Sequence, residues 1–307
     1  LHRVDRRQRQ MCIRDRIKRL CIRLILSLFL IQYSVAKPLQ IVASFSIIAD
    51  WVKQIGGEQV KVTSLIPFDR NTHDYEPTAH DLMTLQTADL IIGQGLGLEI
   101  PTLTRAMRKY PKKLIFLENS YPRSQLLSFK NGSIDPHTWQ DIGLSNRAVA
   151  SITKALCLYD RLHCSFYLYR YRQYANQLIE FARSSMKVFS QLPAHSLLVT
   201  THDGFHYLAN RYGLEYLSLE PKHHHADISA KAIVDAMNQI QVKKPRCIFS
   251  EVDSNIRLSR QIAKSAHTCV IAGLYSDSLS ATSGDAADYL QFMRHNMRLL
   301  IHGLGAR

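Results

Sequence analysis

Four side chains, widely separated along the chain, are of types that can together hold a metal cation. His73 lies in NTHDYEP, His137 in DPHTW, His202 in VTTHDGFHY and Asp277 in LYSDSLS. Each stands just past an apolar, strand-like run or in the loop that follows one. Three neutral imidazoles and one carboxylate make a nitrogen-and-oxygen set suited to a borderline divalent ion such as Zn2+, and tolerable for Mn2+. An imidazole that binds through one ring nitrogen needs an orienting partner for the other. Asp74, Asp135 and Asp203 stand next to the three histidines and are candidate acceptors. Each position also has an ordinary alternative when taken alone. A loop histidine is commonly just solvated, and Asp277 can cap a helix beginning near Leu279. His206 lies four residues beyond His202 and shares a helix face with it if a helix begins there; it is read as a neighbour of the site rather than a ligand.

The elements that must carry these residues alternate along the chain. Strand-like runs cover 39–46, 60–67, 88–99 and 112–120, with helical spacing at 47–57 and 78–88. Thr78 and Asp81 make a capping-box-like helix start. Residues 144–158 are helical, and 165–193 form one long periodic stretch without Gly or Pro until Pro193. The alternation resumes with strands at 195–203, 215–221, 246–252 and 268–276, and helices at 204–212, 229–241, 256–266 and 284–303. Such βαβ rhythm predicts an α/β fold of two lobes, each a mostly parallel sheet flanked by helices. The lobes are placed at 37–160 and 194–307, joined by one long rigid helix within 161–193. A coiled-coil partner for that helix is the alternative, but aromatic residues ring too much of its surface for a heptad seam. Ligands of α/β sheets sit beyond the carboxyl ends of the strands, so two facing lobes would bring all four loops to one cleft.

Common enzyme signatures are absent: there is no GxxxxGK[ST], GxSxG or HExxH. GQGLGLE at 93–99 has Leu98 where a dinucleotide fingerprint needs its third glycine, and it reads as a strand end. The formal charge of the 307 residues is +14. Residues 1–36 carry nine of the basic and two of the acidic residues, so the remainder has a net charge of +7, too scattered to argue for nucleic acid. From Arg16 the chain has a basic stretch, an apolar run from Leu24 to Ile31, and then Ser34-Val35-Ala36. That is the layout of a signal peptide cleaved after Ala36, with an apolar run too short for a stable anchor. No small-residue-then-Cys pattern for lipid anchoring follows it. Residues 1 to about 16 read as an artefact, since MCIRD resembles a translated sequencing-library adapter. Export implies an oxidising compartment. Among Cys157, Cys164, Cys247 and Cys269 the favoured pairs are Cys157–Cys164 and Cys247–Cys269, with four buried thiols as the alternative.

NTHDYEPTAHDL, DPHTW, TTHDGFHYLANRYGL and GLYSDSLS, in this order and at these separations, resemble the metal-binding substrate-binding proteins of zinc and manganese ABC transporters. The resemblance covers residues 38–303. It implies that His73, His137, His202 and Asp277 are the four metal ligands. It implies a long helix that limits hinge closure, a monomer in the periplasm or another extracytoplasmic space, and a membrane permease as partner. The zinc or manganese ion is then transported ligand rather than cofactor, and there is no chemical turnover. Manganese-dedicated members commonly carry Glu as the third ligand, so His202 leans towards zinc. Zinc carriers often insert a long His-rich acidic loop before the second ligand; here only SYPRSQLLSFKNGSIDPH stands there, which keeps manganese in contention. PKHHHADIS at 221–229 offers His223, His224 and His225 as metal collectors at the cleft mouth, or as a solvated loop before a helix capped by Asp227 or Ser229. Two other functions fit parts of the same pattern. One is a zinc-dependent hydrolase with Glu76 or Glu251 as base and Asp277 free of the metal. The other is a surface adhesin built on the same scaffold.

Overall fold

The computed structural model describes residues 37–68, 72–129, 131–220 and 230–305. Its strands fall into two sheets of four with one shared plan. The first sheet contains β1 (Leu39–Ala43), β2 (Val60–Ser64), β3 (Leu90–Gly93) and β4 (Leu114–Phe116), in the order β2-β1-β3-β4. The second contains β5 (Leu197–His202), β6 (Glu215–Glu220), β7 (Cys247–Glu251) and β8 (Cys269–Leu274), in the order β6-β5-β7-β8. All the strand pairings within both sheets are parallel. Ile41, Val42 and Ala43 of β1 and Leu90, Ile91 and Ile92 of β3 are all buried, as befits strands covered on both faces. The strand order reverses beside β1 and again beside β5, which opens a crevice at the carboxyl end of each sheet.

The helices are α1 (Ser46–Gly56), α2 (Ala79–Thr87), α3 (Pro101–Arg108), α4 (Ile142–Tyr159), α5 (Cys164–Phe189), α6 (His206–Tyr212), α7 (Ala230–Lys243), α8 (Ile256–Ser265) and α9 (Tyr289–Leu304). The capping box expected at α2 is present: Thr78 accepts from the Asp81 N–H, and the Asp81 carboxylate accepts from the Thr78 N–H. The long helix α5 has 26 residues, or about 39 Å at the helical rise. Cys157–Cys164 staples the end of α4 to the start of α5, and Cys247–Cys269 joins the first residues of β7 and β8, as favoured from the sequence.

Several elements differ from the sequence reading. The third strand ends at Gly93, because Gly95, Leu96 and Gly97 all take positive φ and turn the chain. Helix α3, not anticipated, then begins with Pro101 in its first turn, where a missing N–H costs nothing. The last helix begins at Tyr289 rather than 284, capped by Asp288, which accepts from the Gln291 N–H. No helix follows Asp277 near Leu279, so Asp277 has no helix there to cap.

From Leu39 onward the chain is one compact unit. A single apolar core runs from Ile41 and Trp51 through Leu178 to Phe249 and Leu300, and so joins both sheets. Helix α9 carries much of that continuity, since it packs on β7 and β8 and also on α1 and α5. A second, smaller cluster, including Val199, Leu219, Ile240 and Ile262, lies between the second sheet and α7 and α8. The proposed leader at residues 1–36 and the PKHHHADIS loop at 221–229 lie outside the described residues. Among the described residues no helix is long and apolar enough to cross a membrane.

Candidate metal centre

Each of the four sequence-selected residues ends a strand or lies in the connection that follows one. His73 follows β2, in a turn shaped by Asp81, whose carboxylate accepts from Tyr75 Oη at 2.8 Å and from Thr78 Oγ1 at 2.7 Å. The start of α2 therefore also braces the loop that carries His73. His137 lies in the connection after β4. Asp135 accepts both its backbone N–H, at 2.9 Å, and its ring Nδ1–H, at 2.6 Å, which leaves Nε2 to face the cleft. Gln94, just past β3, is fully buried and holds the same loop from behind, donating to the Pro136 carbonyl at 2.9 Å and to Thr138 Oγ1 at 2.8 Å. His202 is the last residue of β5. Its carbonyl accepts from Thr200 Oγ1 at 2.8 Å and from Tyr216 Oη at 3.1 Å, and its N–H points at the Glu251 carboxylate, 3.3 Å away. Asp277 lies three residues past β8, and its carbonyl accepts from Thr72 Oγ1 at 3.4 Å.

These loops converge. His73 Nε2 is 3.1 Å from His137 Nε2 and 3.2 Å from Asp277 Oδ2. Asp277 Oδ1 is 3.6 Å from His137 Nε2, and Asp277 Oδ2 is 3.8 Å from His202 Nε2. One donor atom from each of the four residues lies within 4.8 Å of all the others, the one such cluster among the described residues. A tetrahedral zinc ion with bonds near 2.0–2.1 Å needs its donors roughly 3.3 Å apart. The observed edges bracket that spacing, so these side chains could enclose such an ion with small adjustments. Asp277 Oδ1 is buried and takes no hydrogen bond, an atom of unused acceptor capacity inside the cluster.

The electrostatics divide the ligand candidates by environment. Burial alone would raise the Asp277 carboxyl, but His202, His137 and His73 around it reverse the effect and hold it well below the ordinary carboxylate range. Burial pushes His202 down to about 3, with the lift from Asp277 opposed by His137 and His73. His202 is therefore a neutral ring at any ordinary pH. His137 is buried too, but the Asp135 and Asp277 carboxylates outweigh the burial and raise it above the usual imidazole value. Beneath His202, burial pushes Glu251 up to about 8.

The surroundings depart from the sequence reading in two ways. Asp135 is the orienting acceptor foreseen for His137. Asp203, however, faces His206, with 3.8 Å between Oδ1 and Nε2, rather than His202. Helix α6 begins at His206, so His202 lies outside it and the two rings share no helix face. His206 Nδ1 instead lies 3.3 Å from Asp135 Oδ2. Sequence reasoning missed Gly204: a Cβ there would fall 2.6 Å from His202 Cε1 and 3.3 Å from His137 Cδ2, so its absence makes room for two rings. A glycine between His-Asp and Phe-His carries no motif that would have revealed this.

Comparison with known proteins agrees with this architecture. The family model described as zinc-uptake complex component A, periplasmic (ZnuA), matches residues 41–303. The chain is 29% identical over 275 residues to the zinc-binding protein TroA of Treponema pallidum (strain Nichols), covering 87% of this chain and 89% of that protein. It is 28% identical over 280 residues to the manganese-binding lipoprotein MntA of Bacillus subtilis (strain 168), covering 88% and 91%. The solved structure of the periplasmic zinc-binding protein TroA from Treponema pallidum superposes with a TM-score of 0.82 at 26% identity, over 88% of this chain and all of that one.

Proposed function

The chain belongs to the family of periplasmic component A of zinc-uptake complexes, and from that premise we propose that it captures one divalent transition-metal ion between its lobes and hands it to an ABC permease. The family is one of metal-binding substrate-binding proteins, not enzymes, and the chain is a transport component. His73, His137, His202 and Asp277 are the proposed ligands. The observation that carries this reading is the meeting of their four donor atoms in a largely buried cluster, with three neutral-capable imidazoles around one ionised carboxylate. Four protein donors fill a tetrahedral shell and leave no coordination position for an activated water. The bases that a hydrolase would need are engaged elsewhere: Glu251 faces the His202 backbone N–H, and Glu76 accepts from Thr102 Oγ1 at 2.8 Å.

Zinc is the favoured cargo, because three nitrogen donors and one oxygen suit a borderline ion. Relatives named for manganese, such as MntA, and for zinc, such as TroA, both match, so manganese is the competing cargo. The chain is further proposed to be exported by a signal peptide cleaved after Ala36, and to act as a monomer. Its lobes are taken as 37–160 and 194–307 about the long helix. Metal analysis of protein purified without added metal, followed by calorimetric titration with zinc and with manganese, tests the reading. One tight site with zinc preferred is the expected result; no binding of either ion would reject it.

A further inference from the structure

Two of the proposed ligands come from different lobes, yet their loops are tied together by bonds that need no metal. The side chains of Trp139 and Gln140, two and three residues past His137, both donate to the carbonyl of Ser276, the residue before Asp277. The distances are 2.8 Å from Trp139 Nε1 and 3.0 Å from Gln140 Nε2. Trp139 and Gln140 are fully buried, and Ser276 is nearly so. The backbone of this latch is held as well. The Trp139 carbonyl accepts from Tyr289 Oη at 2.7 Å, and Tyr289 N–H, at the start of α9, donates to Asp50 Oδ2 of α1 at 3.0 Å. Beyond Asp277, the Leu279 N–H donates to Ser46 Oγ of α1 at 2.9 Å. Asp277 belongs by sequence to the second lobe, but its loop is bound to the first.

Gln140 is informative because it is an imperfect core residue. Its Oε1 is buried and takes no hydrogen bond among the described residues. A buried amide with one end unpaired is less stable than a leucine of similar size would be. The other end, bonded to Ser276, is what the position retains.

We infer that Trp139 and Gln140 are positioning residues that fix His137 against Asp277 before metal arrives, and in doing so set the preference for one divalent ion over another. The inference rests on the reading that His137 and Asp277 hold the ion. Proteins discriminate among first-row metals by geometry more than by intrinsic affinity. A His137–Asp277 edge of 3.6 Å, held from outside the coordination shell, favours a compact four-coordinate ion. It resists the spreading that a larger ion with more ligands would need. The His202 edge lacks this device, since its backbone is held by Thr200 and Tyr216 of its own sheet.

Two variants remove the donors separately. Trp139→Phe keeps a ring against Phe45 and His137 but loses the N–H, and Gln140→Leu keeps the volume. Zinc and manganese affinities are measured by chelator competition, zinc release by stopped flow, and melting temperature alongside. Each variant is expected to bind zinc about tenfold more weakly, the scale of one buried hydrogen bond, and to release it faster, with manganese affinity nearly unchanged. The zinc-to-manganese ratio therefore narrows. An unchanged ratio overturns the inference, whether both affinities stay at the wild-type value or both fall in step with melting temperature. If Trp139→Phe does not fold, Gln140→Leu alone decides. A wild-type protein that binds neither ion, or a His202→Ala variant that binds normally, would instead fault the ligand assignment.

Discussion

His137 and His202 are the same residue type, with rings 4.9 Å apart, yet their surroundings push them in opposite directions. His137 has a carboxylate behind it at 2.6 Å and another in front, and its affinity for a proton rises despite complete burial. The His202 backbone is gripped by Thr200 and Tyr216, and burial leaves its ring neutral down to about pH 3. The contrast extends to the lobes. Both sheets reach the continuous core, but the second also has a small apolar cluster of its own, helix α9 across β7 and β8, and a disulfide at the start of those strands. At the proposed site a cation would meet a strongly oriented first-lobe side and a more adjustable second-lobe side.

The sharpest way to break this comparison is to remove the rings. His137→Ala is expected to weaken zinc binding by roughly 3 kcal/mol or more, about a hundredfold to a thousandfold, as for loss of one donor in four. His202→Ala should cost less, since His137 is preorganised by the Asp135 carboxylate behind it; equal losses by calorimetry would remove the asymmetry. The second lobe's dependence on its staple is the next effect. Replacing Cys247 and Cys269 by serine should destabilise the chain by about 2–4 kcal/mol, read as a lower denaturant midpoint, while a wild-type midpoint would mean that α9 alone secures that sheet. Asp135→Asn keeps the shape but removes the charge behind His137, and zinc affinity should fall about tenfold to a hundredfold. The same carboxylate sets the pH dependence. Ligation needs neutral His137, whose proton is held more tightly than by an ordinary imidazole, so on acidification affinity should begin to fall at a higher pH than an unperturbed histidine would set. His202 contributes nothing to that slope until about pH 3, and in Asp135→Asn the fall should begin at lower pH. The smallest effect is Thr78→Ala, about 1 kcal/mol of stability through loss of the cap that also braces the His73 turn.

Much of this arrangement is legible in the sequence, for identifiable reasons. Parallel strands buried on both faces read as unbroken apolar runs, so β1, β3, β5 and β7 stand out, and the Thr78–Asp81 cap announces α2. The four ligand candidates can be found because loops at the carboxyl ends of strands converge in α/β folds. What stays hidden depends on backbone conformation and on contacts between distant segments. Nothing in GQGLGLE reveals that three successive residues turn with positive φ and free the chain for α3. Gly204 matters only because the ring of His202, two residues before it, and that of His137, from a distant loop, crowd the place a Cβ would take. The latch from Trp139 and Gln140 to Ser276 joins residues more than 130 positions apart, and no local pattern encodes it. Asp203 adjoins His202 in sequence but lies past the end of β5 and faces His206.

X-ray absorption spectroscopy of the zinc-loaded protein addresses the ligand set most directly. The expected spectrum is that of a four-coordinate ion with three imidazole nitrogens and one carboxylate oxygen, at about 2.0–2.1 Å. A sulfur-containing shell, or a six-coordinate shell dominated by oxygen, would contradict it.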